Sequence, residues 1–377
     1  MNTRVRTLLA QIGSFLLAGV LLYLALRGVD LNEIVTSLEH ADFRLVPVLI
    51  VVVLLSHLLR AWRWTILLEA LPERSAENPV KKVSVWTAFA SVMIGYMVNY
   101  AAPRIGEVAR TANLSSRERI QFSSVFGTVV VERILDVIVL LLALASVGLI
   151  FLDRLTSVND LFFKPAVEQL GSVPVLGLAA LILGIVVLVF FIFRRVLRRE
   201  SALHTIWLRR VQPVMTSFKA GVLTLLRTKR RFALVISTIA IWFCYLLMAH
   251  LPLEILGMTR TFHLTLLDSW GIMIFGAVGI AIPSPGGTGS YHYITRETLT
   301  HLFGVDPTAA ATYAILTHGA QLILYVIVGF ICILAQGTGF RSIRTTAPTS
   351  KPEAGSEAET TPRELSEVAA SGDAARN

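Results

Sequence analysis

Two short stretches interrupt the apolar runs of this chain. The first reads Asn99-Tyr100-Ala101-Ala102-Pro103-Arg104-Ile105-Gly106-Glu107-Val108-Ala109-Arg110. The second reads Ile282-Pro283-Ser284-Pro285-Gly286-Gly287-Thr288-Gly289-Ser290-Tyr291-His292. Proline stops a helix, and glycine lets the backbone approach its neighbours closely. Each stretch therefore predicts an apolar helix that ends, turns and gives way to a new helix with polar flanks.

The sequence around these interruptions has the composition of a membrane protein. Hydrophobic residues make up 54% of the 377 residues and charged residues 16%, with a mean hydropathy of +0.68. Soluble domains carry about 25% charged residues. About eight apolar segments approach or exceed the ~20 residues that cross a bilayer core, and in lipid such segments must be helical. They are Leu8–Leu26, Leu45–Leu68, Val85–Ala101, Ser123–Leu152, Pro174–Phe193, Phe232–Leu251, Leu266–Ile282 and Ala309–Ala335. The predicted fold class is an all-α polytopic membrane protein.

Loop charges predict the orientation of these segments, because basic loops stay in the cytoplasm. The loop at 194–231 contains eleven Arg and Lys residues and one acid, so we expect it to be cytoplasmic. The loops at 60–84 and 102–121 are also basic. Both can be cytoplasmic only if Val85–Ala101 enters and leaves the membrane on one side. The same argument makes Leu266–Ile282 re-entrant from the outside.

The resulting prediction is six spanning helices plus two re-entrant hairpins in inverted repeats, a plan common among transporters. The repeats cover about 1–152 and 173–340, within one transmembrane domain at 1–340. The N- and C-termini are then on the cytoplasmic side of the cytoplasmic membrane. The alternative is eight full crossings in two parallel halves.

Three further segments have distinct compositions. Residues 30–42 predict a short polar helix. At 201–228, apolar residues recur every three or four positions with basic residues on the other faces. That pattern predicts an amphipathic helix, either on an anionic membrane surface or packed on the membrane domain. The tail at 341–377 is predicted to be disordered in the cytoplasm, because it cannot bury a core.

The two interruptions are also the first candidates for a binding site. A helix that begins inside the membrane points its N–H groups at the midplane, where they can bind an anion such as phosphate. The alternative is a tight turn without a ligand. Charged residues beside the interruptions favour binding, because charges at membrane depth are costly and usually functional.

A second candidate is the charged group formed by Glu132, Arg133 and Asp136, which share neighbouring helical positions. They either line a polar cavity or form a buried ion-paired clasp between helices. Their counterparts in the second half would be His318 and Gln321. Arg60 and Arg63, beside two tryptophans, are typical of an anchor at the membrane boundary, or they contact lipid phosphate.

Several classes of function lack their signatures. The sequence has no phosphate-binding loop of a soluble nucleotidase, no nucleophile elbow and no metal-ligand spacing. The net charge of +9 is concentrated in membrane loops, so it does not indicate nucleic-acid binding. Cys244 and Cys332 both lie in apolar runs and build neither a disulfide framework nor a metal motif. We expect no cofactor, metal or catalytic residue.

Four motifs in order resemble a known family. They are Arg60-x-x-Arg63-Trp64, Asn99 through Pro103-Arg104-x-Gly106-Glu107-x-x-Arg110, Glu132-Arg133-x-x-Asp136, and Pro283-x-Pro285-Gly286-Gly287-x-Gly289. The set looks like the transmembrane, flippase-like domain of lysylphosphatidylglycerol synthases, over about 8–336. The resemblance implies the lipid-handling part without lysine transfer, because the tail is too short for a soluble transferase domain. Many relatives carry an acid near the position of His292, so a role for that acid is not implied here.

The predicted function is translocation of an anionic phospholipid or a polyprenyl-phosphate-linked lipid, with membrane lipids as partners. The predicted substrate-binding residues are Arg60, Arg63, Asn99, Pro103, Arg104, Gly106, Glu107, Arg110, Glu132, Arg133, Asp136, Pro285, Gly286, Gly287, Gly289 and His292. One alternative is a membrane enzyme that transfers a group to or from a lipid phosphate, with Glu107, Glu132 or Asp136 as base. Another is a small-solute carrier, or a subunit that docks a membrane or cytoplasmic protein through the amphipathic helix.

Overall fold

Every regular element that the structure describes is a helix. The structure is a computed structural model, and it describes residues 3–71, 82–101, 105–151, 212, 215–216, 218–219, 223–282 and 284–337. Within these ranges the helices are α1 (Thr3–Leu26), α2 (Leu31–Glu39), α3 (Val46–Glu69), α4 (Val85–Ala101), α5 (Gly106–Glu118), α6 (Phe122–Ile150), α7 (Thr224–Arg227), α8 (Arg231–Ile255), α9 (Met258–Thr261), α10 (Leu266–Ala281), α11 (Ser290–Glu297) and α12 (Pro307–Ala335). Tight turns occupy Phe43–Leu45 and Pro285–Gly287, and a wider helical turn occupies Thr298–Leu302.

The described part of the chain confirms the all-α membrane class. Four of its helices are long and apolar enough to cross a bilayer, and they are Phe43–Glu69, Phe122–Ile150, Arg231–Ile255 and Pro307–Ala335. Phe15–Leu26 and Leu266–Ala281 are shorter apolar helices. The predicted segment Pro174–Phe193, most of the amphipathic stretch at 201–228 and the tail at 341–377 lie outside the described residues.

Polar residues fix where several helices begin. Asp30 accepts a hydrogen bond from the Asn32 amide at 2.8 Å and caps α2. Asp306 accepts from the amides of Thr308 and Ala309, at 2.8 and 3.1 Å, and caps α12. Such caps satisfy amides that have no partner inside the helix, which matters most where water is scarce.

Each interruption of the apolar sequence forms a helical hairpin. In the first hairpin α5 folds back along α4, and Gly95 and Gly106 meet where the two backbones cross. In the second hairpin α11 folds back along α10, and Tyr291 packs over Gly276 and Gly279. Small residues at these crossings allow the close backbone approach that holds helices together in lipid.

The described helices repeat one order, a long helix, a hairpin and a long helix. The order occurs first as α3, α4–α5 and α6, and again as α8, α10–α11 and α12. The two leading helices, α3 and α8, pack against each other. Each hairpin also packs on the closing helix of the other set, with α4 against α12 and α10 against α6. Because each hairpin packs on a helix of the other set, both hairpin tips lie near the middle of the helical bundle. The opposite orientation of the two sets remains a prediction.

The re-entrant prediction has a direct test in cysteine labelling from outside intact cells. Ser84 and Gln121 are exposed at the two ends of the first hairpin, while the native Cys244 and Cys332 are buried. We expect Ser84→Cys and Gln121→Cys to react with an impermeant maleimide only after the cytoplasmic side is opened. Phe43→Cys, at the opposite end of the neighbouring long helix, is the control that should react from outside. Reaction of Ser84→Cys and Gln121→Cys from opposite sides would show that the segment crosses the membrane.

Candidate functional site

A buried cluster of ion pairs lies beside the first hairpin, and Glu132 is its centre. The Glu132 side chain is fully buried on α6. Its carboxylate oxygens lie 2.6 Å from Arg60, 3.5 Å from Arg63 and 3.2 Å from Arg110. Arg60 and Arg63 come from α3 and Arg110 from α5, so one carboxylate ties three helices together.

Asp136, one helical turn beyond Glu132, completes the pairing of the α3 arginines. It accepts hydrogen bonds from Arg60 at 3.0 Å and from Arg63 at 2.6 Å. Each of these arginines also reaches α8 through one terminal nitrogen, with Arg60 donating to Tyr245 at 2.7 Å and Arg63 to Thr238 at 3.2 Å. Buried charges are tolerated when they are paired and hydrogen-bonded in this way.

Arg133 is the arginine of the cluster with an accessible side chain. Its side chain is 42% exposed, whereas Arg60, Arg63 and Arg110 are at most 4% exposed. Arg133 pairs with Glu107 of α5 at 2.6 Å and lies 3.9 Å from Asp136. The described cluster has four arginines against three carboxylates, so it carries one surplus positive charge. That surplus can attract an anion.

The interpretation of Arg63 and Trp64 as a boundary anchor is wrong. Both side chains are fully buried, and the Trp64 indole N–H donates to Thr128 at 2.9 Å. The Arg110 guanidinium lies 5.1 Å from the centre of the Trp64 ring, a cation–π contact. This part of α3 faces α6 and α8 instead of the membrane surface, and the Trp64 indole and the terminal nitrogens of Arg63 find their partners inside the protein.

A cavity of about 570 Å³ lies between the charged cluster and the two hairpin tips. Its charged wall consists of Arg60, Glu107, Arg133 and Asp136. The other walls are largely apolar or aromatic, and they include Val137, Leu140, Met248, Ile272, Met273, Ile280, Tyr100, Tyr245 and Tyr325. The tips contribute Asn99, Ser284, Gly286 and Gly287. The cavity therefore joins a cationic wall to surfaces that suit hydrocarbon.

The two hairpin tips touch each other across this cavity. Gly286 has a positive φ of 58°, and a Cβ at this position would overlap the ring of Tyr100 from the first hairpin. On the other side, a Cβ on Gly289 would overlap the backbone of Ala18 in α1. Glycine is required at both positions, because any side chain would push apart elements that meet backbone to ring or backbone to backbone.

Several tip amides that were expected to face an anion already have partners. The Gly106 amide donates to the Asn99 side chain at 2.8 Å. In the second tip, the Gly287 amide donates to the Ser284 carbonyl, the Thr288 amide to the Pro285 carbonyl and the Gly289 amide to His292. These four amides are satisfied inside the turns, because an unpaired amide in an apolar setting is costly. The exposed side chain of Arg133 offers an anion a partner that these four amides do not.

The polar residues of the second half form an uncharged counterpart to the ion pairs. His318 lies 3.3 Å from the Thr288 hydroxyl and contacts the rings of Tyr291 and His292 at 5.4 and 4.8 Å. His318 and Gln321 line the cavity, as the predicted counterparts of the charged cluster. His292 is buried beneath them.

A family model described as the lysylphosphatidylglycerol synthase TM region matches residues 11–329. The chain belongs to this family. As a member of the lysylphosphatidylglycerol synthase TM family, the protein is a multi-pass integral membrane protein with a lipid-related role. Comparisons with curated proteins and with solved structures returned no match.

The predicted site residues that the structure describes occupy four kinds of position. Arg60, Asn99, Glu107, Arg133, Asp136, Gly286 and Gly287 line the cavity. Arg63, Arg110 and Glu132 stand behind its charged wall, Gly106, Pro285 and Gly289 shape the hairpins, and His292 supports the second tip. Pro103 and Arg104 lie outside the described residues. Among the described residues, no group of three or more His, Cys, Asp or Glu side chains is placed to hold a metal ion.

The sequence did not point to the aromatic residues of the cavity in this family member. Tyr96, Tyr245 and Tyr325 surround Arg60 and His57, with Tyr245 hydrogen-bonded to Arg60. Each is a single polar ring in an apolar run, which is the usual pattern of a buried helix. Only the packing of α3 against α4, α8 and α12 brings these rings together.

Proposed function

We propose that this protein moves an anionic lipid between membrane leaflets through the cavity between its two hairpins. The observation that carries the proposal is the exposed side chain of Arg133 on the charged wall of a cavity whose other walls are largely apolar or aromatic. A phosphate could pair with Arg133 while the acyl chains remain against hydrocarbon-like surfaces. A charged headgroup crosses pure lipid slowly because it is poorly solvated there, and a polar cavity removes part of that penalty.

Glu107 supplies a means of exchanging the phosphate. In the structure its Oε1 pairs with Arg133, and its Oε2 is buried without a hydrogen-bond partner among the described residues. A lipid phosphate competes with this carboxylate for the same guanidinium. Phosphate binding is therefore reversible, because the Glu107 carboxylate can displace the phosphate and re-form its ion pair with Arg133.

Scrambling in liposomes tests the proposal. Anionic phospholipids labelled on an acyl chain keep their native headgroups, and dithionite quenching reports how fast they change leaflet. We expect the wild type to accelerate the exchange and Arg133→Gln to slow it by about tenfold or more, since a charge-assisted hydrogen bond contributes about 1.5–3 kcal/mol. Arg260→Gln, an exposed arginine outside the cavity, is the control that should behave as wild type.

A second variant separates phosphate binding from a structural role of the Arg133–Glu107 pair. Glu107→Gln breaks the same ion pair but leaves Arg133 without its competing carboxylate. We expect this variant to bind anionic lipid more tightly than the wild type. If Glu107→Gln instead slows scrambling and weakens binding as much as Arg133→Gln, the pair only joins α5 to α6 and the proposal is contradicted.

The main alternative is group transfer at a lipid phosphate, with a carboxylate as base. Glu132 and Asp136 are held by arginines, which makes them poor proton acceptors. Glu107 is the carboxylate with a free oxygen at the cavity. A chemically altered lipid that accumulates with purified wild type and not with Glu107→Gln would favour this alternative.

A further inference from the structure

His318 is a histidine of the second set of helices, and its ring lines the cavity between the hairpins. It lies on α12, and its Nε2 is 3.3 Å from the Thr288 hydroxyl of the second tip. Its Nδ1 has no hydrogen-bond partner among the residues that the structure describes. Because a neutral imidazole has one nitrogen without a proton, the ring can take up a proton at the cavity.

Two tyrosine rings contact the His318 imidazole. Tyr291 stacks on it, with ring centres 5.4 Å apart and an angle of 27° between the planes. Tyr100 of the first hairpin meets it at 5.7 Å and 61°. The face of a tyrosine ring attracts a cation, so the stacked Tyr291 suits a protonated imidazole as well as a neutral one.

His292 is a second imidazole beside His318, and its tautomer is fixed. The two ring centres are 4.8 Å apart. The Gly289 amide donates to His292 Nδ1 at 3.3 Å, so that nitrogen carries no proton. Protonating it would leave the amide without a partner in a buried turn. His292 therefore stays neutral, whereas the Thr288 hydroxyl can donate or accept and suits both protonation states of His318.

A charge on His318 would have no carboxylate partner among the described residues. The titratable side chains around it, and beside it in the cavity, are neutral, and they are Tyr100, Tyr245, Tyr291, His292 and Tyr325. Arg296, one turn beyond His292 on α11, points away toward backbone carbonyls at the end of α1. The charged residues of the cavity form its charged wall, and they are Arg60, Glu107, Arg133 and Asp136. An unpaired charge in such a cavity is costly, so His318 needs an anion nearby to hold a proton.

We propose that His318 binds a proton together with the anionic lipid, so that movement of the lipid is coupled to movement of a proton. The inference rests on the proposed function, because it assumes that a lipid phosphate enters the cavity at Arg133. The phosphate supplies the negative charge that an imidazolium at His318 lacks, and opposite charges in one cavity attract. By linkage, the proton strengthens lipid binding by the same factor as the lipid strengthens proton binding. Lipid and proton therefore cross in the same direction.

A competing site for the proton is Glu107. When a phosphate takes Arg133, this carboxylate loses the ion-pair partner that the structure describes for it, and a proton would remove its charge. A second competing explanation is that His318 only packs between the two tyrosine rings. The three explanations differ in which variant loses proton uptake, so proton uptake is the quantity to measure.

The first measurement is proton uptake when the purified full-length protein in detergent binds phosphatidylglycerol. The phosphodiester of this lipid does not titrate near neutral pH, so any uptake belongs to the protein. A pH indicator in weakly buffered solution follows the uptake from about pH 5 to 8, the range in which histidines respond. We expect the wild type to take up part of one proton per bound lipid and to bind the lipid more tightly as the pH falls. No uptake by the wild type at any pH in this range overturns the inference.

Three variants assign the proton to a residue. His318→Gln keeps a polar side chain beside Thr288 but cannot be charged, so it should lose the uptake and the pH dependence of binding. Glu107→Gln should keep both, because Arg133 and His318 remain. His40→Gln, at an exposed histidine after α2, is the matched control that should behave as wild type. Uptake that survives in His318→Gln overturns the inference, and uptake that is lost in Glu107→Gln assigns the proton to that carboxylate instead.

A pH gradient across liposomes measures the coupling itself. Valinomycin with equal potassium on both sides holds the membrane potential at zero, and dithionite quenching gives the distribution of an acyl-labelled phosphatidylglycerol. With one proton per lipid, one pH unit should hold about a tenfold excess of the label in the leaflet on the alkaline side, because protons flow toward that side. His318→Gln should give a ratio near one.

The two measurements separate this inference from the proposed function. Rapid exchange between leaflets with a ratio near one in the wild type overturns the coupling and leaves passive transport in place. Proton uptake that depends on His318, in a protein that exchanges no lipid, supports the proton site and contradicts transport.

Discussion

Replacing Glu132 by glutamine is expected to lower the free energy of unfolding by about 3–5 kcal/mol, the usual loss when one partner of a buried ion pair is removed. Glutamine keeps the shape but not the charge. Arg60 and Arg63 retain Asp136, but Arg110, which is buried, loses its one ion-pair partner among the described residues. The unfolding midpoint in a fixed detergent, followed by circular dichroism, measures the loss.

Two further variants are compared with Glu132→Gln. Glu33→Gln, on the exposed face of α2, changes the same groups in water and should alter stability by less than about 0.5 kcal/mol. The double variant Glu132→Gln with Arg110→Met removes the stranded charge together with its partner. It should be more stable than Glu132→Gln alone, because an unpaired buried charge is worse than none. A single variant as stable as the wild type would show that Glu132 does not hold the cluster together.

Adding a side chain at Gly106 is expected to be the most damaging small change at the crossing of the first hairpin. A Cβ there would overlap the Gly95 carbonyl oxygen and lie 2.6 Å from the Asn99 side-chain nitrogen. The obstacle is backbone, which cannot rotate away as a flexible side chain can. We expect Gly106→Ala to cost about 3 kcal/mol and Gly106→Val to separate α5 from α4.

Gly106→Val should disrupt the charged wall of the cavity as well as the packing of α5 on α4. When α5 moves, Glu107 leaves Arg133 and Arg110 leaves Glu132, so scrambling should be lost. Gly319→Ala in α12 is the matched control, because its Cβ would meet nothing within 4 Å. It should be neutral or stabilising by about 0.5–1 kcal/mol, the usual gain for alanine over glycine in a helix. Equal stability of the Gly106 and Gly319 variants would contradict the close crossing.

Hydropathy was sufficient to predict most helices but not where they end. The predicted bounds of Val85–Ala101 match α4, since proline and charge follow it directly. By contrast, α8 continues to Ile255 instead of stopping at Leu251. Glu254 on that extension lies 3.6 Å from His250 in the preceding turn, so a side-chain pair spans the end of the apolar run. Local polar contacts of this kind do not appear in a hydropathy pattern.

The charged half of the site was predictable, and its aromatic half was not. Glu132, Arg133 and Asp136 stand out because charge inside an apolar run is rare. His57 and Tyr245 do not stand out, and Tyr245 meets Arg60 across 185 positions of sequence. Arg63 was ambiguous for a different reason. An arginine beside tryptophan near the end of an apolar run fits both a surface anchor and a buried ion pair, and only tertiary packing separates the two.

The contact between Tyr100 and Gly286 ties the mechanics of the two hairpins together. The Tyr100 ring of the first hairpin packs directly on the backbone of Gly286 in the second. Neither tip can therefore move through the middle of the bundle unless the other tip moves as well. Under the proposed function, a passage toward either leaflet opens only by a concerted displacement of both tips. The same contact hinders the leakage of ions, because one tip cannot open the cavity while the other stays in place. A membrane protein with charged residues around an internal cavity benefits from that restriction.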